Sequence, residues 1–333
     1  MDTMINIKTI EQADIKNGTR VFVRCDLDVP VNSDGTLGET YRIESALETL
    51  NYIIEHGGIP VIAGHMGKPD GQPNPRLSTQ QLMPYFNQHL GEEKFELLEN
   101  LRFDPREETN DDNYAKELSI KADIYVNESF ATSHRKHASI VGITKYLPSY
   151  AGFRLKKEID TLSKILDTPA RPLTVIIGGA KLESKMPVVS KFLEVADFVL
   201  LGGKLGLDWT SEIPENLMLP TDYADDQKDI GPNTVLRFND VISRAKTILW
   251  AGPVGAYETA QFMEGTQGIA QAITLATTHN EALSVIGGGD TITACNQLGL
   301  LQKFSFVSTG GGAMLQFLAD GTLPGIEALS KND

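Results

Sequence analysis

LTVIIGG at residues 173–179 and DFVLLGG at residues 197–203 are apolar at nearly every position before each run ends in two glycines. A strand with one face in water alternates apolar and polar residues, whereas a strand buried on both faces does not. The two runs therefore predict strands of a parallel sheet that is covered by helices on both sides.

Apolar runs of this kind alternate with helix-length segments along the whole chain. The predicted strands are Val21–Leu27, Ile59–Gly64, Phe95–Leu98, Ile124–Asn127, Leu173–Gly178, Phe198–Gly202, Thr247–Ala251, Leu283–Gly287 and Phe304–Ser308. Amphipathic patterns at Ile43–His56 and Lys156–Leu166 predict helices. The alternation indicates an α/β protein with two lobes, each a parallel Rossmann-like sheet covered by helices, joined by a hinge helix.

Two domains are expected because 333 residues are about twice the usual length of one domain. FRLKKEIDTLSKIL at 153–166 has a helical pattern, and the prolines of TPARP at 168–172 fit a helix stop. We therefore predict an N-terminal domain at residues 1–150, a bridging helix and hinge at 151–172, and a C-terminal domain at 173–315.

The composition is that of an ordinary globular protein, with 41% apolar and 22% charged residues. A formal net charge of −14 repels phosphate backbones and anionic lipids, so neither nucleic acid nor a membrane is expected as a partner. The two cysteines, Cys25 and Cys295, do not suggest a disulfide framework. The first residues, MDTMINIKTI, have no basic stretch followed by an apolar run, so a cytoplasmic protein without a secretory signal is predicted.

Glycines follow the predicted strands of the second half at four places. They are Gly178 and Gly179, Gly202 and Gly203, Gly287 to Gly289, and Gly310 to Gly312. Such turns let backbone N–H groups approach phosphate oxygens at a helix N-terminus. One turn alone also arises from tight packing, but four in one domain favour phosphate binding. The P-loop motif, GxGxxG and the paired HRD and DFG motifs of protein kinases are absent, so the phosphate site is of another kind.

The first half supplies positive charge at the ends of its predicted strands. The polar residues at or just after these ends include Arg24, Asp26, Arg42, His65, Lys68, Arg102, His134 and Arg135. Arginine presents a planar fork that binds phosphate or carboxylate through two hydrogen bonds. Any one of these residues is most simply a surface charge, but together, in an acidic protein, they indicate a site for a small polyanion.

RCDLDVP at residues 24–30 resembles the phosphoglycerate kinase signature R-x-D-x-N-V-P. Further blocks that are similar to this family follow in the family's order along almost the whole chain. They are YRI at 41–43, GHMGKP at 64–69, LENLRF at 98–103, YVNESFATSHRKHAS at 125–139, IGGAKLESK at 177–185, ILWAGPVGAYE at 248–258, VIGGGDTIT at 285–293 and VSTGGGA at 307–313.

The resemblance implies a reversible, Mg²⁺-dependent phosphoryl transfer between ATP and 3-phosphoglycerate that yields ADP and 1,3-bisphosphoglycerate, as in glycolysis and gluconeogenesis. The implied 3-phosphoglycerate residues are Asp26, Leu27, Asp28, Arg42, His65, Met66, Gly67, Lys68, Arg102 and Arg135. The implied nucleotide residues are Lys185, Gly203, Glu258, Gly288, Gly289, Asp290, Thr291, Gly310 and Gly311. Asp290 would bind the Mg²⁺, and Arg42 and Lys181 would be catalytic. The resemblance also implies a monomer whose residues 316–333 return to the N-terminal domain.

These residue types suit the implied reaction. A carboxylate attacks the γ-phosphorus in line, through a loose transition state whose charge is spread over the equatorial oxygens. The protein then has mainly to position two anions and neutralise charge, which Arg42 and Lys181 can do. Because the two substrates bind to different domains, the hinge must close before chemistry, and closure also expels water.

The sequence departs from the family pattern at several places. Asp28 and Ala251 replace asparagines, Lys68 replaces an arginine, and GGKLG at 202–206 replaces G-G-G-M-A. The segment between Lys204 and Thr247 is much shorter than usual, and in the family it helps to enclose the base and ribose. A permissive site that uses GTP within about tenfold of ATP is therefore expected. The departures leave open an alternative function as a non-catalytic sensor of nucleotide or phosphoglycerate.

Overall fold

The computed structural model of the chain describes residues 7–32, 34–180, 182–224 and 226–330. Its backbone contacts divide the chain into two units, which we call unit 1 (residues 1–160 and 322–333) and unit 2 (residues 161–321). The division at residue 160 falls inside the bridging segment that was predicted at 151–172. The second division, at residue 322, lies beyond the predicted start of the returning segment at 316.

Unit 1 is built on a five-stranded parallel sheet in the order β3-β2-β1-β4-β5. The strands are β1 (Arg20–Arg24), β2 (Ile59–Ala63), β3 (Glu96–Leu97), β4 (Ile124–Asn127) and β5 (Ser149–Ala151). The predicted strand Val21–Leu27 ends early, at Arg24, and the apolar residues Cys25 and Leu27 that follow are buried in the core. The short strand β5 was not predicted.

Helices α1 (Tyr41–Glu44), α2 (Leu47–Glu55), α3 (Met83–Leu90), α4 (Asp112–Ser119) and α5 (Phe153–Asp167) follow in the chain. The single helix predicted at Ile43–His56 is divided into α1 and α2 around Ser45. Thr49, Leu50 and Ile53 of α2 are buried, as the amphipathic pattern indicated. Helix α4 begins after Asp111, whose carboxylate accepts a hydrogen bond of 2.9 Å from the Tyr114 N–H group.

Unit 2 contains a six-stranded parallel sheet in the order β13-β12-β11-β6-β7-β8 and a small antiparallel pair, β9 and β10. The strands are β6 (Leu173–Ile177), β7 (Phe198–Leu201), β8 (Leu217–Met218), β9 (Tyr223–Ala224), β10 (Asp229–Ile230), β11 (Thr247–Ala251), β12 (Leu283–Gly287) and β13 (Phe306–Ser308). Every residue of β6 and β11 is buried, as expected for strands covered on both faces.

The helices of unit 2 cover this sheet. They are α6 (Leu182–Val195), α7 (Lys204–Leu207), α8 (Pro232–Arg244), α9 (Glu264–Asn280), α10 (Gly289–Gln297) and α11 (Gly312–Asp320). The segment between Lys204 and Thr247 holds α7, α8 and the two-residue strands β8, β9 and β10. Apart from α8, each of these elements contains four residues or fewer.

Helix α12 (Pro324–Ser330) belongs to unit 1. The Gly325 N–H group donates a hydrogen bond of 2.8 Å to the Ser133 carbonyl oxygen. A side chain at Gly325 would lie 2.9 Å from Ile140, so the absence of a Cβ permits this close approach. Residues 331–333 lie outside the described part of the chain. Within the described part, no helix combines the length and the apolar character needed to cross a membrane.

Replacing Trp250 with phenylalanine should destabilise unit 2. Trp250 is completely buried in the central strand β11, and its indole N–H donates a hydrogen bond of 2.8 Å to the Gly252 carbonyl oxygen. Phenylalanine leaves this carbonyl without its donor and leaves part of the indole volume empty, so we expect a loss of about 2–4 kcal/mol in the free energy of unfolding. Urea denaturation followed by circular dichroism measures it. Leu236→Ala, at a side chain that is 69% exposed, is the control, and an equal loss in both variants would contradict the prediction.

Candidate active site

The anion site predicted in unit 1 lies at the carboxyl edge of its sheet. Arg24, the last residue of β1, pairs with Ala63 at the end of β2 and with Asn127 at the end of β4. The segments that follow these three strands therefore leave the sheet side by side. They carry most of the residues that were expected to bind a small polyanion.

One hydrogen bond connects the loops after β1 and β2 to each other, and two more connect these loops to arginines. The Gly67 N–H group donates to Asp28 Oδ1 at 2.8 Å. Arg42 Nη1 donates to the Asp28 carbonyl oxygen at 3.0 Å, and Arg102 Nη1 donates to the Gly67 carbonyl oxygen at 3.1 Å. The carboxylate that replaces the family's asparagine at position 28 is thus used to hold the neighbouring loop.

Asp26 is a buried acid in this group. Its Oδ2 atom lies 3.8 Å from Arg42 Nε and has no hydrogen-bond partner among the described residues. Burial raises the pKa of the Asp26 carboxyl, while the charges of Arg42 and Arg24 oppose the shift. An oxygen atom of this kind is available to a hydroxyl or other donor of a bound ligand.

A buried polar network lies beneath these loops. The fully buried Arg24 donates from Nε to Ser139 Oγ at 2.9 Å and contacts His65 Nδ1 from Nη2 at 3.1 Å. Ser139 in turn donates from its hydroxyl to Glu107 Oε1 at 2.5 Å. Burial raises the pKa of the Glu107 carboxyl, and the Arg24 charge opposes this. Glu107 was missed in the sequence because nothing local connects it to Arg24.

The contact with Arg24 fixes the tautomer of His65. A guanidinium group has only donors, so His65 Nδ1 must accept and the ring proton must lie on Nε2. Burial, followed by the charges of Arg24 and Arg102, holds the pKa of His65 well below its usual range. His65 is therefore a neutral hydrogen-bond donor with a defined orientation.

Two further histidines of this region are also held neutral. Burial is the largest cause of the lowered pKa of His134, and Arg135 adds to it. Burial and the Arg24 charge lower the pKa of His137 to about 3. The positive charge of the site consequently comes from its arginines and not from its histidines.

The glycine turns of unit 2 form a cavity of about 200 Å³ at the carboxyl edge of the second sheet. Its walls include Lys185, Gly252, Gly311 and the first turn of α10 at residues 288–291. Gly252 has φ 100°, and a Cβ there would lie 2.3 Å from the Gly178 carbonyl oxygen. Only glycine allows the backbones of these two turns to come so close.

Lys185 is the cation among the described residues that line this cavity. Its Nζ atom donates to the carbonyl oxygens of Gly178 and, at 3.3 Å, of Ala251. Burial lowers the pKa of the Lys185 amine to about 8, against the opposing effect of Asp290. Position 251 has no polar side chain, and among the described residues the hydrogen-bond acceptors of this ammonium group are backbone carbonyl oxygens.

A second cavity, of about 250 Å³, adjoins the first and shares Asp290 with it. Gly179, Gly203, Lys204, Lys228 and Glu258 are among its lining residues. The Tyr257 hydroxyl donates to Asp290 Oδ1 at 3.3 Å. The described residues of the two cavities therefore provide glycine turns, Lys185 on the smaller cavity, and Lys204 and Lys228 on the larger.

The family can now be stated from direct comparison. The model of the phosphoglycerate kinase family matches residues 10–212 and 209–321. A phosphoglycerate kinase of Chloroflexus aurantiacus is 35% identical over 398 aligned residues that cover 98% of this chain and 99% of the relative. The chain belongs to the phosphoglycerate kinase family. It is accordingly a phosphotransferase whose acceptor is a carboxyl group.

Other relatives agree with this assignment. Phosphoglycerate kinase 1, chloroplastic, of Arabidopsis thaliana is 34% identical and covers 98% of this chain and 82% of the relative. The structure of phosphoglycerate kinase from Coxiella burnetii gives a TM-score of 0.84 at 28% identity, covering 98% of this chain and 99% of that one. The enzyme from Pyrococcus horikoshii OT3 gives a TM-score of 0.82 at 27% identity, with the same coverage of both chains. The α/β fold with two parallel sheets is therefore confirmed.

The comparisons also bear on the shortened segment. The alignment with the C. aurantiacus enzyme extends over 398 positions, although this chain has 333 residues. The two stretches that match the family model meet at residues 209–212, inside the segment between Lys204 and Thr247. Family members therefore carry residues here that this chain lacks.

The predicted substrate residues of unit 1 fall into three groups. Asp26, Asp28, Arg42, His65, Gly67 and Arg102 are brought together by the contacts described above. Leu27 and Met66 are buried in the core, so only their backbone atoms can serve a ligand. Lys68 and Arg135 are exposed. The charge of Arg135 nevertheless contributes to the lowered pKa of His134 and of His137.

The predicted nucleotide residues of unit 2 are divided between the two cavities. Lys185, Gly288, Gly289, Thr291 and Gly311 line the smaller cavity, Gly203 and Glu258 line the larger, and Asp290 lines both. Gly310 is buried beneath the first cavity, where its N–H group donates to Ser308 Oγ at 3.1 Å. Lys181 lies outside the described residues. Tyr257 and Lys228 line the larger cavity as well, and sequence reasoning gave neither a role.

We expect His65 to remain neutral, with its proton on Nε2, throughout the range from pH 8 to pH 5. Its pKa lies well below the usual value, so protonation falls below this range. Nitrogen-15 NMR of the imidazole ring measures both the tautomer and the titration. In Arg24→Met, Nδ1 loses its donor and the two tautomers should mix. A titration midpoint near pH 6.5, or a proton on Nδ1, in the wild-type protein would contradict the assignment.

Proposed function

We propose that this chain catalyses reversible phosphoryl transfer between ATP and 3-phosphoglycerate, giving ADP and 1,3-bisphosphoglycerate. The observation that supports this most directly is the pairing of two different anion sites on one chain. Unit 1 offers arginines and a neutral histidine around short loops, which suits a small acid phosphate. Unit 2 offers an elongated site lined by glycines and lysines, which suits a nucleotide.

In this proposal unit 1 binds 3-phosphoglycerate. Arg42, Arg102 and Arg135 contact its phosphate and carboxylate groups, and His65 adds a neutral donor from Nε2. The buried Asp26 oxygen accepts from the hydroxyl group of the substrate. The exposed Lys68 supplies charge without the bidentate geometry of an arginine.

Unit 2 binds the nucleotide, with its phosphates in the smaller cavity near Lys185 and the first turn of α10. Among the described residues, no group of three or more His, Cys, Asp and Glu side chains is arranged to hold a metal ion. Asp290 supplies one carboxylate at the junction of the cavities, which fits Mg²⁺, an ion that usually binds through one or two carboxylates, water and substrate phosphates. When bound, Mg²⁺ would neutralise charge on the phosphate oxygens.

The reaction then needs little covalent help from the protein. A carboxylate oxygen of 3-phosphoglycerate bonds to the γ-phosphorus as the bond to the β–γ bridging oxygen breaks, and that oxygen leaves with ADP. Arg42 stabilises the charge on the equatorial oxygens. The family resemblance implies the same role for Lys181. The substrates bind to different units, so we propose that hinge closure precedes transfer.

The cellular compartment and the metabolic role are part of the same proposal. Cys25 and Cys295 are free and buried, which suits a reducing compartment. We propose a cytoplasmic monomer that acts in glycolysis and gluconeogenesis.

The direct test is a coupled assay of the purified protein with 3-phosphoglycerate, ATP and Mg²⁺, in which formation of 1,3-bisphosphoglycerate is linked to NADH oxidation. Omitting 3-phosphoglycerate gives the background rate of ATP hydrolysis. Turnover that depends on all three components supports the enzyme. If calorimetry shows that both substrates bind but the assay shows no turnover, the alternative function as a non-catalytic sensor of nucleotide or phosphoglycerate is supported instead.

Arg42→Ala should lower kcat and kcat/KM together by about 10²–10³-fold, because it removes a donor that acts on charge in the transition state. Steady-state kinetics with each substrate varied in turn measures the effect. Arg42→Lys, which keeps the charge, should retain more activity than Arg42→Ala. If kcat of the alanine variant stayed within a few-fold of wild type while KM rose, Arg42 would bind substrate only.

Nucleotide binding at pH 8 should take up about half a proton, because the pKa of Lys185 is lowered to about 8 and nearby phosphates favour its ammonium form. In the free protein this charge is lost as the pH rises through 8, so affinity for ADP should weaken between pH 7 and pH 9. Calorimetric titration with ADP in two buffers of different ionisation enthalpy measures the uptake. Lys185→Met should abolish it, and equal uptake by both proteins would exclude Lys185 as its source.

A further inference from the structure

Helix α1 carries Arg42 but is too short to hold its own position. It contains four residues, Tyr41–Glu44, and a helix of one turn is not stable without contacts to the rest of the protein. Ile43 anchors one side of α1 in the core, and the Ser45 hydroxyl donates to the Arg42 carbonyl oxygen at 2.6 Å. The position of Arg42 therefore depends on what α1 contacts.

The residue before Arg42 contacts the first turn of α5. Arg154 Nη1 donates to the Tyr41 hydroxyl oxygen at 3.2 Å, and the central carbon of the Arg154 guanidinium lies 5.5 Å from the centre of the Tyr41 ring. Burial raises the pKa of the Tyr41 hydroxyl, and the Arg154 charge opposes this shift, so Tyr41 is a neutral phenol near pH 7. Tyr41 and Arg154 thus share a hydrogen bond and a cation–π contact.

The Arg154 side chain is itself held in one orientation. Its Nε and Nη2 atoms donate to Glu158 Oε1 at 3.1 and 2.6 Å. The Arg154 side chain is 9% exposed and that of Glu158 is completely buried. Because the guanidinium is planar, fixing two of its nitrogen atoms on Glu158 also fixes the direction of Nη1, which points to Tyr41.

Helix α2, which follows α1 in the chain, is joined to the same turn of α5. The Phe153 N–H group donates to Thr49 Oγ1 at 3.0 Å, and the Thr49 hydroxyl donates to Glu128 Oε1 at 2.7 Å. The Arg154 N–H group donates to the same Glu128 oxygen at 3.1 Å. The rings of Tyr52 and Phe153 meet edge to face with their centres 5.3 Å apart. Both α1 and α2 are therefore attached to one turn, and the Arg154 side chain makes the attachment on the α1 side.

We propose that Arg154 and Tyr41 are positioning residues for the transfer reaction, and that their contact sets the place of Arg42 at the transferring phosphoryl group. The Asp28 carbonyl oxygen holds the guanidinium end of Arg42, and the Tyr41 contact holds its backbone end. A catalytic group that is displaced by about 1 Å can lose about 10²-fold in rate. This inference rests on the proposed function for its catalytic readout, and it goes further by naming the residues that place the catalytic arginine.

The experiment is a set of double-mutant cycles in the coupled assay. Tyr41→Phe and Arg154→Met are measured alone and in combination with Arg42→Ala. Each alone should lower kcat, Arg154→Met by about tenfold, which is about 1.4 kcal/mol in the barrier, while KM for both substrates stays within about twofold. In the Arg42→Ala background neither should lower kcat further, because the arginine that they position is gone.

Lys156→Met is the matched control. Lys156 pairs with Asp160 at the same four-residue spacing on the same helix as Arg154 with Glu158, but on a more exposed face, and its loss should change nothing. If Arg154→Met does not fold because the buried Glu158 carboxylate has lost this cation, Tyr41→Phe carries the test, since it leaves the Arg154–Glu158 pair intact.

Two results would overturn the inference while leaving the function intact. One is an equal loss of kcat with and without Arg42, which would mean that Arg154 and Tyr41 act by another route. The other is a rise in KM at unchanged kcat. If the wild type shows no turnover, the proposed function fails, and NMR of the Arg42 Nε–H signal, identified by its loss in Arg42→Ala, then tests the inference alone. The signal should move in Tyr41→Phe and stay in place in Lys156→Met, and no movement in Tyr41→Phe would refute the positioning role.

Discussion

A buried positive charge at the end of β1 organises unit 1. The Arg24 guanidinium is removed from water, and such a charge is strongly destabilising unless it is surrounded by partners. Its partners come from distant parts of the chain, since Ser139 follows β4 and His65 follows β2. Satisfying this one group therefore fixes where the segments after three parallel strands leave the sheet. The loops that contact Arg42 and Arg102 therefore lie above a network whose positions are already fixed.

Unit 2 meets a different constraint, which is steric. In its smaller cavity the backbone after β6 passes against the backbone after β11, and a Cβ at Gly178 would lie 2.1 Å from the Pro253 carbonyl oxygen. The half-buried Lys185 lines this cavity, where its ammonium group donates to backbone carbonyl oxygens. The two candidate sites are thus built in contrasting ways, one from arginine side chains above a buried network and the other from glycine turns.

Much of this arrangement could be predicted from the sequence, because strands buried on both faces are apolar throughout. Ile124–Asn127, Thr247–Ala251 and Leu283–Gly287 have the predicted bounds. The short strands β5 and β8 were not predicted, because each carries too few side chains to show a pattern, whereas β3 and β13 lie within longer runs that were predicted. The break between α1 and α2 near Ser45 was missed for another reason. The apolar spacing of a single helix continues across it. Glu107 and Ser139 act through contacts that only the folded chain creates, so the sequence pattern does not connect them with Arg24.

The buried cysteines have a practical consequence for studying this protein. Burial raises the pKa of the Cys25 thiol well above its usual range and that of Cys295 to about 12. A protonated, inaccessible thiol does not react with alkylating reagents, because the thiolate is the nucleophile. Cys25 lies in unit 1 and Cys295 in unit 2, and the chain has no other cysteine. The native protein therefore contains one unreactive thiol in each unit. The rate at which each thiol is labelled by an alkylating reagent measures the local opening of that unit separately.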